Sequence, residues 1–143
     1  MKIRIPDNFV FGTSTSAYQI ETAFEHDWLN IRSRDGYIFN RTTDHEKRLI
    51  EDAEIIASLA PHYRMSLMWS KLQQRPYAKF EDAAVRQYSM FLKELRDRGV
   101  GIMMVIHHFA NPQWFTAAGG WKNRKNINAW ADFAKQLVET FGT

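Results

Sequence analysis

The chain has 143 residues, enough for one ordinary core, and its apolar and charged fractions are those of a globular protein. Its net charge is only +3 with acids and bases interleaved, which argues against a nucleic-acid partner. It has no cysteine, which excludes disulfides, thiolate nucleophiles and thiolate metal sites; aromatic content is high at 14%. The start, MKIRIPDNF, lacks a signal-peptide apolar core, and no apolar run approaches the ~20 residues of a membrane span. A soluble, cytoplasmic protein is the expectation.

Phe9 to Gly12 reads as a short strand after the turn signal Pro6-Asp7-Asn8. The small polar run Thr13 to Ala17 and the segment Tyr18-Gln19-Ile20-Glu21 fit either an ordinary loop or a backbone curled around a ligand. Glu25 to Thr43 is a long connection whose aromatics, Trp28 and Tyr37, favour an ordered loop. Thr43-Asp44-His45-Glu46 matches a capping box, in which hydroxyl and carboxylate satisfy each other's free amides. The helix it predicts carries Leu49, Ala53, Ile56 and Ala60 on one face and stops at Pro61.

His62 to Trp69 reads as a second strand. Arg64 is its odd member, because an arginine inside a strand buried on both faces needs an anionic or multi-acceptor partner. That partner is either a structural carboxylate or a catalytic one. Glu81 to Arg98 is the clearest helix, with Val85, Tyr88, Phe91, Leu92 and Leu95 on its buried side, acids in its first turn, bases in its last, and Gly99 as cap. Val100 to Ile106 is an almost unbroken apolar run, as expected of a strand buried on both faces. His107, His108, Phe109 and Trp114 follow where that strand should stop, and Gly119-Gly120-Trp121 closes the exit loop. Asn128 to Phe141 predicts a final helix buried through Trp130, Phe133, Ala134, Leu137 and Phe141.

Strand and helix thus alternate three times, which implies an α/β fold with parallel strands and right-handed crossovers. In such folds ligands bind beyond the carboxyl ends of the strands. Strand alternation would put His108 on a face with Ile106 and Met104 and His107 on the other with Val105 and Met103, so the adjacent histidines are a poor chelating pair. A metal would also need ligands such as Asp44 or His45, whose spacing does not favour it. Ser66 with His108 and an aspartate could be drawn as a triad, but no G-x-S-x-G elbow occurs; nor does G-x-G-x-x-G or a Walker sequence. There remain Gln19, Arg64 and His108 at predicted strand ends, with Phe109, Trp114 and Trp121 close by. Hydrogen-bonding side chains beside flat apolar faces suit a sugar ring, while the same residues also read as satisfied core groups.

The chain resembles the N-terminal part of the family 1 glycoside hydrolases, the β-glucosidase and 6-phospho-β-glycosidase family. The resemblance lies in Phe9 to Glu21 (FVFGTSTSAYQIE), Asp44-His45, Tyr63-Arg64-Met65-Ser66 with Trp69-Ser70, and His108 with Pro112 and Gly119-Gly120-Trp121, in that order. It implies the first three βα units of a (β/α)8 barrel, a fold of roughly 250 residues, with residues 1–143 as one truncated portion of a single domain. It also implies retaining hydrolysis of a β-glycoside without metal or organic cofactor, on a small carbohydrate or aryl β-glycoside. Gln19 and His108 would hydrogen-bond the sugar, Phe109 and Trp121 would contact it, and Arg64 would help keep a nucleophilic glutamate ionised.

The sequence departs from the family pattern in Phe109 for a tryptophan, Thr22 for a glycine and Lys71 for an arginine. Retaining hydrolysis needs two carboxylates about 5–5.5 Å apart, which the family carries in Asn-Glu-Pro and Glu-Asn-Gly motifs. Neither motif occurs here. No catalytic residue is therefore expected in this chain, and residues 1–143 alone are expected to be inactive. The alternative is a non-catalytic carbohydrate-binding partial barrel that associates with its own copy.

Overall fold

The computed structural model describes residues 4–21, 25–38 and 42–142. Three parallel strands lie in the order β1 (Thr13–Ser14), β2 (His62–Ser66) and β3 (Gly101–Val105). Thr13 pairs with Tyr63, and Tyr63 with Ile102. The connections carry α1 (Ala17–Ile20) and α2 (Leu49–Leu59), then α3 (Trp69–Leu72) and α4 (Asp82–Asp97); α5 (Gln113–Ala117) and α6 (Ile127–Phe141) follow β3. These are three consecutive βα units of the kind that build a barrel.

Hydrophobic periodicity explains the two long helices. α4 buries Ala84, Tyr88, Phe91, Leu92 and Leu95, and α6 buries Ala129, Phe133, Leu137 and Phe141. Gly99, at φ +74°, ends α4: its N–H donates to the Arg96 carbonyl and the Val100 N–H to that of Leu95. Trp69 is the centre of the core. Its ring stacks on Phe133 at 4.8 Å and meets Phe115 at 4.9 Å and Trp114 at 5.5 Å. Its indole N–H reaches Gln73 Oε1 at 3.0 Å, and Gln73 passes its own donors to the Ala78 carbonyl and Asp132.

Several local expectations differ from the structure. The first strand is Thr13–Ser14, not Phe9 to Gly12, and Phe9, Val10 and Phe11 are exposed. Apolar character alone does not set pairing; the chain joins the sheet just after Gly12, where a Cβ would stand 2.8 Å from the His62 carbonyl oxygen. The capping box is absent. Thr43 Oγ1 donates to the Ile20 carbonyl, Asp44 is left-handed at φ +57°, and a 3-10 turn (His45–Lys47) precedes α2. Ala60 lies beyond the end of α2 rather than on its buried face. β2 stops at Ser66, so Trp69 belongs to α3, and the exit loop after β3 holds the unforeseen α5. Thr22 and residues 39–41 of the long connection lie outside the described residues.

The largest correction concerns burial. β2 and β3 are not covered on both faces. Tyr63 and Met65 point into the helices and are buried, whereas His62, Arg64 and Met103 project from the opposite face, and Met103 is 65% exposed. A barrel interior is filled only when the remaining strands curl around it, and three strands leave it open.

Candidate functional site

Because all three strands run parallel, the segments after Ser14, Ser66 and Val105 emerge at one end of the sheet. The first bends at once. The Ser16 carbonyl accepts the Gln19 N–H at 2.9 Å to start the single turn α1, and the Ala17 N–H donates to the buried Ser66 hydroxyl at 3.0 Å. That bond ties the Gln19 segment to the end of β2. Ala17 faces inward, and Gln19, two residues on, is exposed.

Arg64 is not enclosed as the sequence suggested. Its side chain lies on the open face and donates to Ser14 Oγ at 3.4 Å. A guanidinium beside water needs no buried anion.

The histidines diverge, but not by strand alternation. β3 ends at Val105, and a bend at Ile106 breaks the pattern. His107 and His108 therefore lie past the strand, where face alternation no longer applies, and His108 comes within electrostatic reach of Arg64. Burial, and then the Arg64 charge, lower its pKa below the usual 6.5. The ring is therefore neutral near pH 7, with one nitrogen donating and one accepting. Its Nδ1 is closed off from solvent without a hydrogen-bond partner, an unpaired buried polar atom.

Phe109 is a non-glycine residue at φ +61°, a backbone state that costs of order 1–3 kcal/mol unless its surroundings enforce it. Its ring, 67% exposed, tilts against His108 at 5.2 Å and meets the edge of Trp28 at 6.2 Å. Trp28 in turn meets Tyr18 at 5.7 Å. An aromatic wall thus runs from the turn bearing Gln19 to the loop bearing His108. Trp28 was visible in the sequence only as an aromatic in a long loop.

Trp121 takes another position. It is half exposed, but its ring contacts are His107, Phe115 and Trp130, and its indole N–H donates to Asn111 Oδ1 at 3.0 Å. His107 joins the same acceptor at 3.0 Å, and Asp27 receives both donors of Asn111. Trp114, the other aromatic the sequence placed at this mouth, gives its indole N–H to the Gln73 carbonyl at 3.2 Å. Asp27 and Asn111 escaped the sequence reading; the one available signal was an Asn-Pro turn pair. Among the described residues no three His, Asp or Glu side chains converge as a metal site requires.

Arg64 projects from the open face of the sheet and His108 lies within its electrostatic reach; Gln19 is exposed on the turn after β1, and Phe109 and Trp28 form an exposed aromatic contact beside His108.

A family model for glycosyl hydrolase family 1 matches residues 1–143. The chain is 27% identical to β-glucosidase A of Acetivibrio thermocellus, over 99% of this chain and 34% of that protein. It is 28% identical to a 6-phospho-β-galactosidase of Staphylococcus epidermidis, over 99% of this chain and 32% of that one. Among solved structures, a β-glucosidase from Exiguobacterium marinum superposes with a TM-score of 0.88 at 28% identity, covering 98% of this chain and 34% of the other. The Thermotoga maritima β-glucosidase in complex with deoxynojirimycin gives 0.87 at 27% identity, covering 96% and 34%. Residues 1–143 span about a third of these relatives and fold as the first three βα units of their (β/α)8 barrel, and the chain belongs to glycosyl hydrolase family 1.

Proposed function

We propose that residues 1–143 supply the sugar-gripping third of a retaining β-glycosidase and none of its catalytic carboxylates. The family match along the whole chain is the observation that carries this reading. The relatives are named β-glucosidases and a 6-phospho-β-galactosidase, so the shared substrate class is a β-linked glycoside.

In this reading Gln19 and His108 hydrogen-bond the sugar hydroxyls, and the lowered pKa of His108 favours it, because a neutral imidazole can both donate and accept. Phe109 provides ring contact but has no N–H to donate. Arg64, exposed on the inner face, stands where a glutamate from a neighbouring strand would gain from a cation. A nearby guanidinium lowers a carboxylate's pKa and keeps a nucleophile ionised. Trp121 contributes less directly, since its donor is already committed to Asn111. The acid/base and the nucleophile come from segments carrying the Asn-Glu-Pro and Glu-Asn-Gly motifs that residues 1–143 lack.

The test is turnover of p-nitrophenyl β-D-glucoside, with the product anomer followed by NMR. The 143-residue chain alone should release no nitrophenol; joined to a relative's remaining βα units it should do so with retention. Turnover by the chain alone, or inversion by the joined protein, contradicts the proposal. The open inner sheet face favours one second reading, a non-catalytic partial barrel that pairs with its own copy. A stable dimer that binds sugar, with no recovery of activity on joining, is its signature.

A further inference from the structure

Asn111 spends every polar atom it has. Its backbone N–H donates to Asp27 Oδ1 at 2.8 Å and its Nδ2 to Asp27 Oδ2 at 2.7 Å. Its carbonyl accepts from the Asp27 N–H at 3.0 Å. Its Oδ1 accepts from His107 Nε2 and Trp121 Nε1, each at 3.0 Å. An amide oxygen only accepts, so the His107 proton sits on Nε2. Burial is the largest influence on His107 and lowers its pKa, so the ring stays neutral in this role.

These bonds fasten two loops at once. The His107 to Asn111 side-chain bond closes the segment whose exposed apex is Phe109, and the carboxylate of Asp27 anchors that segment to the loop bearing Trp28. Within it, the Ala110 N–H returns to the His108 carbonyl at 2.9 Å, a tight turn centred on Phe109. A phenylalanine at φ +61° persists only where its surroundings over-determine it. Asp27, Asn111 and His107 are those surroundings. A paired Asp and Asn with a buried amide is also costly to break, since each lost partner strands a polar group.

We infer that Asp27 and Asn111 are positioning residues: they hold Phe109 in its left-handed state and so present its ring, beside His108, to a β-glycoside. The inference rests on the sugar-binding reading above, and its test separates the two.

The probe is phenyl β-D-glucoside, titrated into the chain by NMR, with the intraresidue HN–Hα NOE of Phe109, strong at positive φ, reporting its backbone state. Asn111→Leu and the milder Asp27→Asn should each weaken binding about tenfold and weaken that NOE as φ turns negative. In a Phe109→Ala background the same substitutions should cost no further affinity, because they act through that ring. An equal loss in both backgrounds would assign the pair a general structural role and overturn the inference. If the unaltered chain does not take up the probe, the sugar-binding reading fails by itself. The NOE then still decides whether the clamp exists: an unchanged intensity in Asn111→Leu and Asp27→Asn overturns it, and a weakened one supports it.

Discussion

Lys71 Nζ lies 2.7 Å from Glu21 Oε2, and both side chains are buried. The phenol of Tyr88 donates to the same carboxylate at 2.8 and 2.9 Å and accepts the Met68 N–H at 3.0 Å. The Lys71 ammonium also sits 4.6 Å from the Tyr88 ring. Burial, and then the Glu21 charge, push the Tyr88 phenol well above its usual pKa, so it remains a donor. The network pins the segment after Gln19 to α3 and α4. Glu21→Gln should cost about 3–5 kcal/mol, because it takes the carboxylate away from the buried Lys71 charge. Glu21→Gln with Lys71→Met should recover a large part of that loss. Urea denaturation of the three proteins is the check; a double variant no better than the single one rejects the pairing as the cause.

Phe109 should show the opposite balance. Its ring is mostly exposed and its backbone is left-handed. Glycine adopts that backbone freely, so Phe109→Gly should change stability by no more than about 1 kcal/mol in either direction, while weakening aryl β-glycoside binding. A destabilisation well beyond that in chemical denaturation would mean that the ring holds the loop rather than being held by it.

Mild acid should destabilise the fold through its histidines. His26, His107 and His108 all have pKa values lowered from 6.5, in each case chiefly by burial; Asp27 opposes the shift at His26 and His107, and Arg64 adds to it at His108. Below pH 6.5 the unfolded chain takes up protons that the native state refuses. The unfolded state therefore binds more protons, and stability rises with pH through this window and falls on acidification. The melting temperature should drop between about pH 7.5 and about pH 5. Replacing His26 and His107 by glutamine should flatten the profile. A melting temperature independent of pH across that range would remove these histidines as linked groups.

The long helices were legible because α4 and α6 each repeat apolar residues every three or four positions and bury them on one side. The parallel order followed from alternation alone. β1 was missed because two residues, Thr13 and Ser14, carry no apolar signal, and their pairing is set by β2 across the sheet. The capping box failed because Thr43 found a tertiary acceptor in the Ile20 carbonyl. Gln19, Arg64 and His108 were expected at strand ends; Gln19 lies in α1, Arg64 in the middle of β2 and His108 beyond the end of β3. The Asp27–Asn111 pair could not be named from the sequence, because its partners are 84 positions apart and neither stands in a periodic pattern.

Arg64 was expected to be enclosed because β2 was read as buried on both faces, and the reverse is testable at Met103. Its side chain is 65% exposed on the open face, so little area leaves water there when residues 1–143 fold. Met103→Thr should therefore change stability by less than about 0.5 kcal/mol. Phe133, stacked on Trp69 with its side chain fully buried, is the contrast: Phe133→Ala should cost about 3–5 kcal/mol through lost transfer energy and the cavity left behind. In a protein where further strands close the barrel, Met103 would be wrapped by its neighbours and the same threonine substitution would become expensive. Urea midpoints for both variants, measured first in the 143-residue chain and then in a chain joined to the remaining βα units, resolve the point. A large Met103 effect in the short chain would mean that its inner face is already covered, as self-association would do, and a concentration-dependent midpoint would accompany it.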